Sequence, residues 1–364
     1  MEILKISTKS KKHLPKRIIV THSDADGLTA ATVIQGAIEK LENKEFYWLI
    51  LASSNPTGTE TEKMLDFANN LVPFQFGDKI FICDRANPSV EYFNMNQVLL
   101  EKTDIVFIDH HITNNPELWI KRTKLKNIST IWSDEESGAT LALQWFKEQY
   151  DFDQKFESLY SSFYKFTEIV KLWDIFTWTK LDKDEDSEKY FGALGINAME
   201  KVLGKKFFYK KINENINDLS KLNDLLEMSY EIYMNDYKDY CKISRKKALN
   251  YKFGRYFIKI YYDFDQKYQS LFSHDIFEED EADIVAFVTS QGTISLRSKK
   301  DVDVSSLSKK LGMASKFSGG GHKNASGYRS ISQDVIKDFV LGKFLDNMTT
   351  VAKNEKIPFE SFYY

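Results

Sequence analysis

The chain has 364 residues, 42% hydrophobic and 28% charged, which is enough for two domains with a substantial core. A formal net charge of -3 argues against a broad electrostatic grip on long nucleic acid. No apolar run reaches about 18 residues, so no membrane partner is expected. The basic start has no signal-peptide core. Cys83 and Cys241 are far apart in the chain and fit two free thiols, so we expect a cytoplasmic protein.

The first half of the chain alternates apolar, β-like runs with amphipathic helices. Strands are predicted at 17–21, 46–51, 80–83, 105–108 and 129–132. Helices are predicted at 27–38, 60–71 and 138–150. This alternation is typical of a doubly wound, mostly parallel sheet, so the predicted fold class is α/β.

The second half has a different pattern. Residues 155–180 and 191–250 are predicted to be helical, with a charged loop at 181–189. Strands are predicted at 256–261, 284–288 and 293–297, followed by a helix at 304–313 and a glycine loop. We therefore expect a first domain at 1–185, a helical linker region at 186–250 and a smaller α/β domain at 251–364.

Three acidic and histidine clusters each follow an apolar strand of the first domain. Their members are His22, Asp24 and Asp26, then Asp84, then Asp109, His110 and His111. Ligands of open α/β sheets bind at the carboxyl ends of the strands, where these side chains would converge. Carboxylates and imidazoles suit one or two divalent cations. A helix cap would also explain the first cluster, and a turn would explain Asp84, but neither explains Asp109-His110-His111.

A second candidate site follows the last predicted helix. It comprises Gly319, Gly320, Gly321, His322 and Lys323. Consecutive glycines let backbone N–H groups approach a phosphate, and the two polar residues add donors. Arg297, which ends a predicted strand, could add a bidentate phosphate contact. The alternative is a flexible surface loop.

These motifs together resemble those of a known family. The series His22-x-Asp24-x-Asp26-Gly27, Asp84, Asp109-His110-His111 and an isolated Asp174 resembles the four-motif signature of the DHH phosphoesterase superfamily. The segment Gly319 to His322, followed by Ala325-Ser326-Gly327, resembles the nucleotide-binding loop of the DHH-associated C-terminal domain. The resemblance spans residues 22–327. It makes 1–185 the catalytic, metal-binding domain and 251–364 the substrate-binding domain.

The resemblance also implies a two-metal site. One ion would be held by His22, Asp24 and Asp84, and the second by Asp26, Asp84, His110 and Asp174, with Asp84 bridging. The family usually uses Mn²⁺, for which Mg²⁺ or Co²⁺ could substitute. Asp174 follows Trp173 in an apolar helix, where a lone carboxylate would be costly without a partner such as a metal. Asp182 and Asp184 are nearby alternatives.

The remaining roles implied by the resemblance concern the substrate. His111 would face the substrate phosphate, and Asp109 would orient a histidine, so these two are the expected catalytic residues. Arg297 and His322 would grip phosphate from the second domain, with Gly319, Gly320, Gly321 and Lys323 beside them. A water activated by the two ions would then attack phosphorus.

The substrate is less sharply defined by the sequence. The chain most resembles the short, two-domain oligoribonucleases of the NrnB type, partly through Trp173 to Trp178. The first expectation is release of mononucleotides from short RNA or DNA oligonucleotides. Alternatives are a phosphodiesterase of cyclic or linear dinucleotides or adenosine 3′,5′-bisphosphate, a RecJ-like exonuclease on single-stranded DNA, and a nucleotide-binding module without catalysis. The apolar tail from Phe359 to Tyr364 would dock onto the body of the protein or onto a second subunit of a homodimer.

Overall fold

The structure is a computed structural model that divides the chain into two compact units. They are Met1–Tyr233, the N-terminal unit, and Met234–Tyr364, the C-terminal unit. The division falls inside the 186–250 segment, so the predicted domain limits stay a prediction. The described residues are 1–7, 14–42, 45–54, 57–111, 114–116, 119–149, 154–290, 292–299, 301–316, 319–321, 323–329 and 337–361.

The N-terminal unit is built on a sheet whose described strands number six. They are β1 (Glu2–Ile6), β2 (Lys16–His22), β3 (Tyr47–Ser53), β4 (Asp78–Cys83), β5 (Thr103–Asp109) and β6 (Ile128–Trp132). Their order is β1-β3-β2-β4-β5-β6. Strands β2 to β6 pair in parallel, and β1, which the sequence analysis missed, adds an antiparallel edge. The predicted α/β, mostly parallel sheet is confirmed.

Helices cover both faces of this sheet. They are α1 (Ala25–Leu41), α2 (Gly58–Leu71), α3 (Val90–Met95), α4 (Gln97–Leu100), α5 (Gly138–Gln149), α6 (Gln154–Asp174), α7 (Ser187–Leu203), α8 (Lys205–Asn215) and α9 (Leu219–Ser244). Alternate strand residues point to opposite faces, so Ile19 packs against α1, α5 and α6, whereas Ile18 packs against α2 and α3. The last helix, α9, crosses the division between the units.

The C-terminal unit holds a second, mostly antiparallel sheet. Its described strands are β7 (Leu249–Phe253), β8 (Tyr256–Tyr262), β9 (Ile284–Val288), β10 (Thr293–Ser298), β11 (Gly319–Gly321), β12 (Ala325–Arg329) and β13 (Phe359–Ser361). They are ordered β11-β12-β10-β9-β8-β7-β13. Its helices are α10 (Gln269–Glu278), α11 (Val304–Ser315) and α12 (Lys337–Glu355). One face packs on α11 and α12 through Ile294, Leu296 and Phe344.

Two predicted elements differ from the structure. The expected helix at 155–180 ends at Asp174, and a separate 3-10 turn follows at Thr177–Lys180. The expected glycine loop is instead strand β11, which pairs antiparallel with β12. Among the described helices, none combines the length and apolar character needed to cross a membrane.

Candidate metal centre

The three predicted clusters meet at one edge of the N-terminal sheet. Strands β2, β4 and β5 are neighbours, and their parallel register aligns their carboxyl ends. His22 is the last residue of β2, Asp84 follows β4, and Asp109 ends β5 just before His110 and His111. Ligand residues that are up to 89 positions apart in sequence therefore converge because the strand order brings their ends together.

The first group of possible metal ligands is His22, Asp24 and Asp84. One ligand atom of each lies within 4.8 Å of the others. His22 Nδ1 is 2.6 Å from Asp24 Oδ2 and 3.6 Å from Asp84 Oδ2. Asp24 also caps α1, because its Oδ1 accepts a hydrogen bond from the Gly27 N–H at 3.0 Å. Its two oxygens therefore serve different purposes, one for the helix and one for the centre.

The second group is Asp26, His110 and Asp174, whose ligand atoms also lie within 4.8 Å of one another. His110 Nε2 is 3.5 Å from Asp174 Oδ2 and 3.4 Å from Asp84 Oδ1. Asp84 thus lies between the two groups and contacts a histidine of each. The structure brings Asp174 into the centre from the last residue of α6. It does not place Asp182 or Asp184 in any of these groups.

The amino-terminal end of α5 holds Asp26 in place. The backbone N–H groups of Gly138 and Ala139 donate to its two oxygens at 2.6 and 2.9 Å. A Cβ atom at Gly138 would lie 2.8 Å from Asp26 Oδ2 and 3.0 Å from the Cβ of Asp84. A helix N-terminus stabilises an anion, and only glycine leaves room for the carboxylate here. The sequence analysis took Gly138 as the first residue of a predicted helix and missed this role.

Asp84 is positioned by its backbone and by its neighbour. It has a φ of 51°, in the left-handed region, and its N–H donates to the Ile108 carbonyl at 2.8 Å. Arg85 is fully buried beside it and donates to the carbonyls of Thr21 and Ser53 at 3.1 and 3.0 Å. The guanidinium thereby joins the ends of β2 and β3 next to the centre. No sequence motif indicated this role for Arg85.

The electrostatics of the centre favour a bound cation. Burial, with repulsion from Asp174 and Asp84, raises the pKa of Asp26 well above its usual range. Burial also raises the pKa of Asp174 to about 7. Burial alone would raise the pKa of Asp84 too, but its close contacts with His110 and His22 hold the pKa well below its usual value.

Two carboxylate oxygens strengthen that conclusion. The Oδ2 atoms of Asp84 and Asp174 are buried and accept no hydrogen bond from the residues that the structure describes. Buried carboxylates without enough donors are costly unless a cation pairs with them. Divalent metals in proteins are bound by carboxylate oxygens and imidazole nitrogens such as those grouped here, so the residues present fit such an ion.

A hydrogen-bond chain fixes the orientation of His111. Its Nδ1 lies 2.9 Å from Asp109 Oδ1, and the Nδ2 of Asn114 donates to the other oxygen of Asp109. Asn114 Nδ2 also donates to the Arg85 carbonyl at 3.1 Å, and its own carbonyl accepts from Trp119 Nε1 at 3.2 Å. A ring whose Nδ1–H is held by a carboxylate directs Nε2 away from that carboxylate. Asn114 was missed because it has no motif of its own.

His111 is also close enough to the ions' expected position to be a ligand itself. Its ring forms a third group with Asp84 and His110, whose ligand atoms lie within the same 4.8 Å limit. Burial lowers the pKa of His111, but the hydrogen bond and charge of Asp109 raise it above its usual value overall. The predicted role, facing the substrate phosphate, stays a prediction.

The predicted phosphate-binding residues lie in the C-terminal unit. Arg297 is on β10 opposite Ala325 of β12, and burial lowers its pKa to about 10. Its Nη1 donates to the Leu296 carbonyl at 3.0 Å, while its Nε has no hydrogen-bond partner in the described part of the chain. Lys323 precedes β12, and its carbonyl accepts from Val304. His322 lies outside the described residues.

The three glycines of β11 have different reasons to be glycine. A Cβ at Gly319 would lie 2.1 Å from the Ser308 carbonyl oxygen of α11. Gly321 has a φ of 137°, and a Cβ there would lie 2.7 Å from the Ala325 carbonyl oxygen. At Gly320, no atom of the described residues lies within 4 Å of an added Cβ. Packing therefore explains the outer two glycines and leaves Gly320 as the one at which a ligand could approach the backbone.

The fold and the centre define a doubly wound α/β protein with a buried carboxylate–histidine site that suits divalent metal. Residues 16–164 match the N-terminal domain of the DHH family. This match, over less than half of the chain, supports the predicted superfamily for the N-terminal unit. The matched segment contains both groups of candidate ligands apart from Asp174.

Known structures share the fold at low identity. RecJ of Thermus thermophilus in complex with Mn²⁺ is 15% identical with a TM-score of 0.61, over 93% of this chain and 52% of that chain. The DHH domain of a protein described as a member of a ribosomal protein family has the same identity and TM-score, over 91% and 86%. An exonuclease RecJ bound to manganese is 15% identical with a TM-score of 0.51, over 93% and 90%.

These similarities show the fold alone. The chain spans about half the length of the Thermus RecJ chain. No curated protein matches it. The NrnB-type assignment, which rests on the stretch from Trp173 to Trp178, stays a prediction.

Proposed function

We propose that this protein is a metal-dependent phosphodiesterase that releases mononucleotides from short oligonucleotides. The observation that carries the proposal is the position of Asp84, which lies between two groups of metal-ligand side chains and contacts a histidine of each. A shared carboxylate between two ion sites is the arrangement used for phosphoryl transfer by two-metal hydrolases. The DHH domain match supports the same class of reaction.

The proposed resident ions are two Mn²⁺, with Mg²⁺ or Co²⁺ as substitutes. One would be held by His22, Asp24 and Asp84. The other would be held by Asp26, His110 and Asp174, again with Asp84. When bound, the ions would activate water for attack on phosphorus and offset the charge of the phosphoryl oxygens. Mixed nitrogen and oxygen ligands suit Mn²⁺, and the RecJ structures that share the fold contain Mn²⁺.

The protein's own residues would position the substrate. His111, held by Asp109 and Asn114, would donate from Nε2 to a phosphoryl oxygen. Arg297 and Lys323 of the C-terminal unit, with His322, would bind phosphate together with the β11 glycines. At Gly320 the open space beside the backbone would let a phosphate approach the main chain.

A short substrate fits the overall charge. At a net charge of -3 the protein has no large surplus of lysine and arginine with which to neutralise a long phosphate backbone. The fold shared with RecJ favours, as a second candidate, an exonuclease on longer single-stranded DNA. A cyclic or linear dinucleotide would use the same ions and remains the third.

The test is a time course with Mn²⁺ on 5′-labelled RNA of two, five and twenty-four nucleotides, resolved by gel. Rapid loss of the two shorter RNAs with little attack on the longest is the expected result. Processive shortening of the longest strand would favour the RecJ-like candidate. If none of the RNAs is cleaved, the proposal is wrong and cyclic dinucleotides are the next substrates to test. If bis-p-nitrophenyl phosphate is not cleaved either, the result favours a nucleotide-binding module without catalysis.

A matched pair of variants assigns the activity to the centre. Asp84→Asn removes the shared carboxylate charge, so turnover with Mn²⁺ should fall to background. Asp104→Asn makes the same chemical change at an exposed position of β5 and should keep wild-type turnover. Wild-type activity in Asp84→Asn would mean that this cluster does not catalyse the reaction.

A further inference from the structure

A lysine from a distant part of the chain reaches the edge of the metal centre. Lys205 is the first residue of α8, and its Nζ lies 2.6 Å from Ser23 Oγ, across 182 positions of sequence. Ser23 is buried and stands between the candidate ligands His22 and Asp24. The ammonium group is therefore directly beside the loop that would hold the first ion. The sequence analysis did not identify Lys205.

Helix α8 is anchored firmly enough to fix this position. Phe208 and Ile212 are fully buried in the core that α8 shares with α1. The hydroxyl of Tyr209 hydrogen-bonds the side chain of Gln35 in α1. The core contacts and this hydrogen bond hold one face of α8 against α1, so the first turn of α8 is supported by a packed helix.

The ammonium group of Lys205 has no counter-ion of its own. In the described ranges, no carboxylate oxygen lies within ion-pair distance of its Nζ, and its hydrogen-bond partner is a neutral hydroxyl. Two other lysines of α8 differ, since Lys210 and Lys211 both pair with Glu214 at 3.6 and 3.1 Å. A half-buried cation without its own carboxylate, next to a centre built for phosphate chemistry, is suited to bind an anion that arrives with the substrate.

The exposure of the ligands indicates which part of the substrate would reach Lys205. The side chain of Asp84 is 2% exposed, whereas those of His22 and Asp24 are 20% and 39% exposed. Asp84, beside which the scissile phosphate would sit, is therefore enclosed. The centre is open to solvent at His22 and Asp24 as well as at His111, whose side chain is 30% exposed. Lys205 contacts the buried Ser23 between His22 and Asp24, so a substrate that leaves the centre past these two ligands would extend towards it.

We propose that Lys205 binds the phosphate next to the scissile one, so that the protein prefers substrates with at least two phosphate groups. The ammonium group would act as a point charge on the non-bridging oxygens of that phosphate. This inference rests on the proposed phosphodiesterase function and names a feature of the substrate that the metal ligands do not determine.

The experiment compares kcat/KM with Mn²⁺ for three dinucleotides. ApA has only the scissile phosphate, while pApA and ApAp each carry a second phosphate at one end. The wild type should prefer one of the two derivatives over ApA. In Lys205→Ala that preference should fall about 10- to 100-fold, as expected for a hydrogen bond to a charged group. Hydrolysis of ApA should change by less than about twofold, because ApA makes no contact with Lys205.

Three further variants separate phosphate binding from a structural role. Lys205→Arg keeps the charge and should retain most of the preference. Lys206→Ala removes the adjacent, exposed lysine and should behave as wild type. Ser23→Ala removes the hydroxyl partner of Lys205 and should keep the preference for the second phosphate. If it instead reproduces Lys205→Ala, the lysine acts by holding the His22–Asp24 loop. Calorimetric titration with Mn²⁺ should give wild-type affinity for Lys205→Ala.

The outcomes that overturn the inference differ from those that overturn the proposed function. A wild type without preference for either derivative, an undiminished preference in Lys205→Ala, or an equal loss on ApA would each overturn the role of Lys205 alone. If the wild type hydrolyses none of the dinucleotides and no bis-p-nitrophenyl phosphate, the phosphodiesterase function is wrong and the inference falls with it.

Discussion

The substitution Gly138→Ala tests whether the end of α5 supports the metal centre. The added Cβ would lie 2.8 Å from Asp26 Oδ2 and 3.0 Å from the Cβ of Asp84. Both distances are well inside the roughly 3.5 Å optimum for non-bonded carbon contacts. Asp26 could retreat only by lengthening the hydrogen bonds of 2.6 and 2.9 Å that it accepts from Gly138 and Ala139. The clash therefore acts on one ligand of each proposed ion.

The expected magnitude follows from the cost of overpacking. Adding a methyl group to a packed site costs about 1–3 kcal/mol. If that strain is relieved when the carboxylates move away from their ion-binding positions, Mn²⁺ affinity should fall about 5- to 150-fold. Isothermal titration calorimetry measures this loss directly. Thermal melting in EDTA and in excess Mn²⁺ should show a smaller metal-induced rise in Tm for Gly138→Ala than for the wild type.

The control is a glycine-to-alanine change in a helix without neighbours. Gly342 lies inside α12, and no atom in the described part of the chain is within 4 Å of an added Cβ. Gly342→Ala should leave Mn²⁺ affinity unchanged and stabilise the protein by up to about 1 kcal/mol through helix propensity. Wild-type Mn²⁺ affinity in Gly138→Ala would refute the reasoning, because it would mean that the carboxylate of Asp26 is not needed where the structure places it.

Three more predictions concern the surroundings of the centre. Asn114→Ala removes the donor to Oδ2 of Asp109 and leaves only His111 on Oδ1, so kcat/KM in steady-state assays should fall about tenfold while calorimetric Mn²⁺ affinity stays within about twofold; unchanged turnover would contradict this. Arg85→Lys loses the guanidinium whose Nη1 joins two strands and whose Nε donates to Thr61, so urea unfolding should show a loss of about 2–4 kcal/mol, and wild-type stability would count against that role. Burial opposes charging of His110, but Asp84 raises the pKa of His110 to about 11. Mn²⁺ must therefore displace a proton, and the affinity for Mn²⁺ should rise with pH. Constant affinity in calorimetry between about pH 6 and 8 would exclude this.

The central part of the fold was predictable because buried parallel strands read as continuous apolar runs. Strands β2, β4 and β5 were all expected within a residue or two of their observed limits. Strand β1 was missed because its five residues were taken as part of the basic start of the chain, although Ile3, Leu4 and Ile6 are apolar. Strand β11 was taken for a loop because three glycines have no strand propensity, yet β12 pairs with them and α11 excludes a side chain at the first.

The sequence predicted which residues could be metal ligands, but it did not predict which residues hold those ligands in position. His22 and the aspartates near it form a local motif, so residue type and spacing suffice to single them out. Asp26 meets Gly138 across 112 positions, and Arg85 meets Thr21 across 64. Such contacts depend on strand order and helix placement, and a single sequence contains no local pattern that predicts them. The predicted roles of the ligands stay predictions, although the structure brings all six together.

The sequence left open whether Asp24 is a helix cap or a metal ligand, and in the structure it can be both. A carboxylate has two oxygens, and here they are divided between the scaffold and the centre. Asp24 caps α1 with Oδ1 and contacts His22 with Oδ2. Asp109 accepts from Asn114 with one oxygen and holds His111 with the other. Because folding fixes one oxygen of each carboxylate, the other is already oriented when an ion or substrate arrives, which lowers the entropy cost of assembling the site.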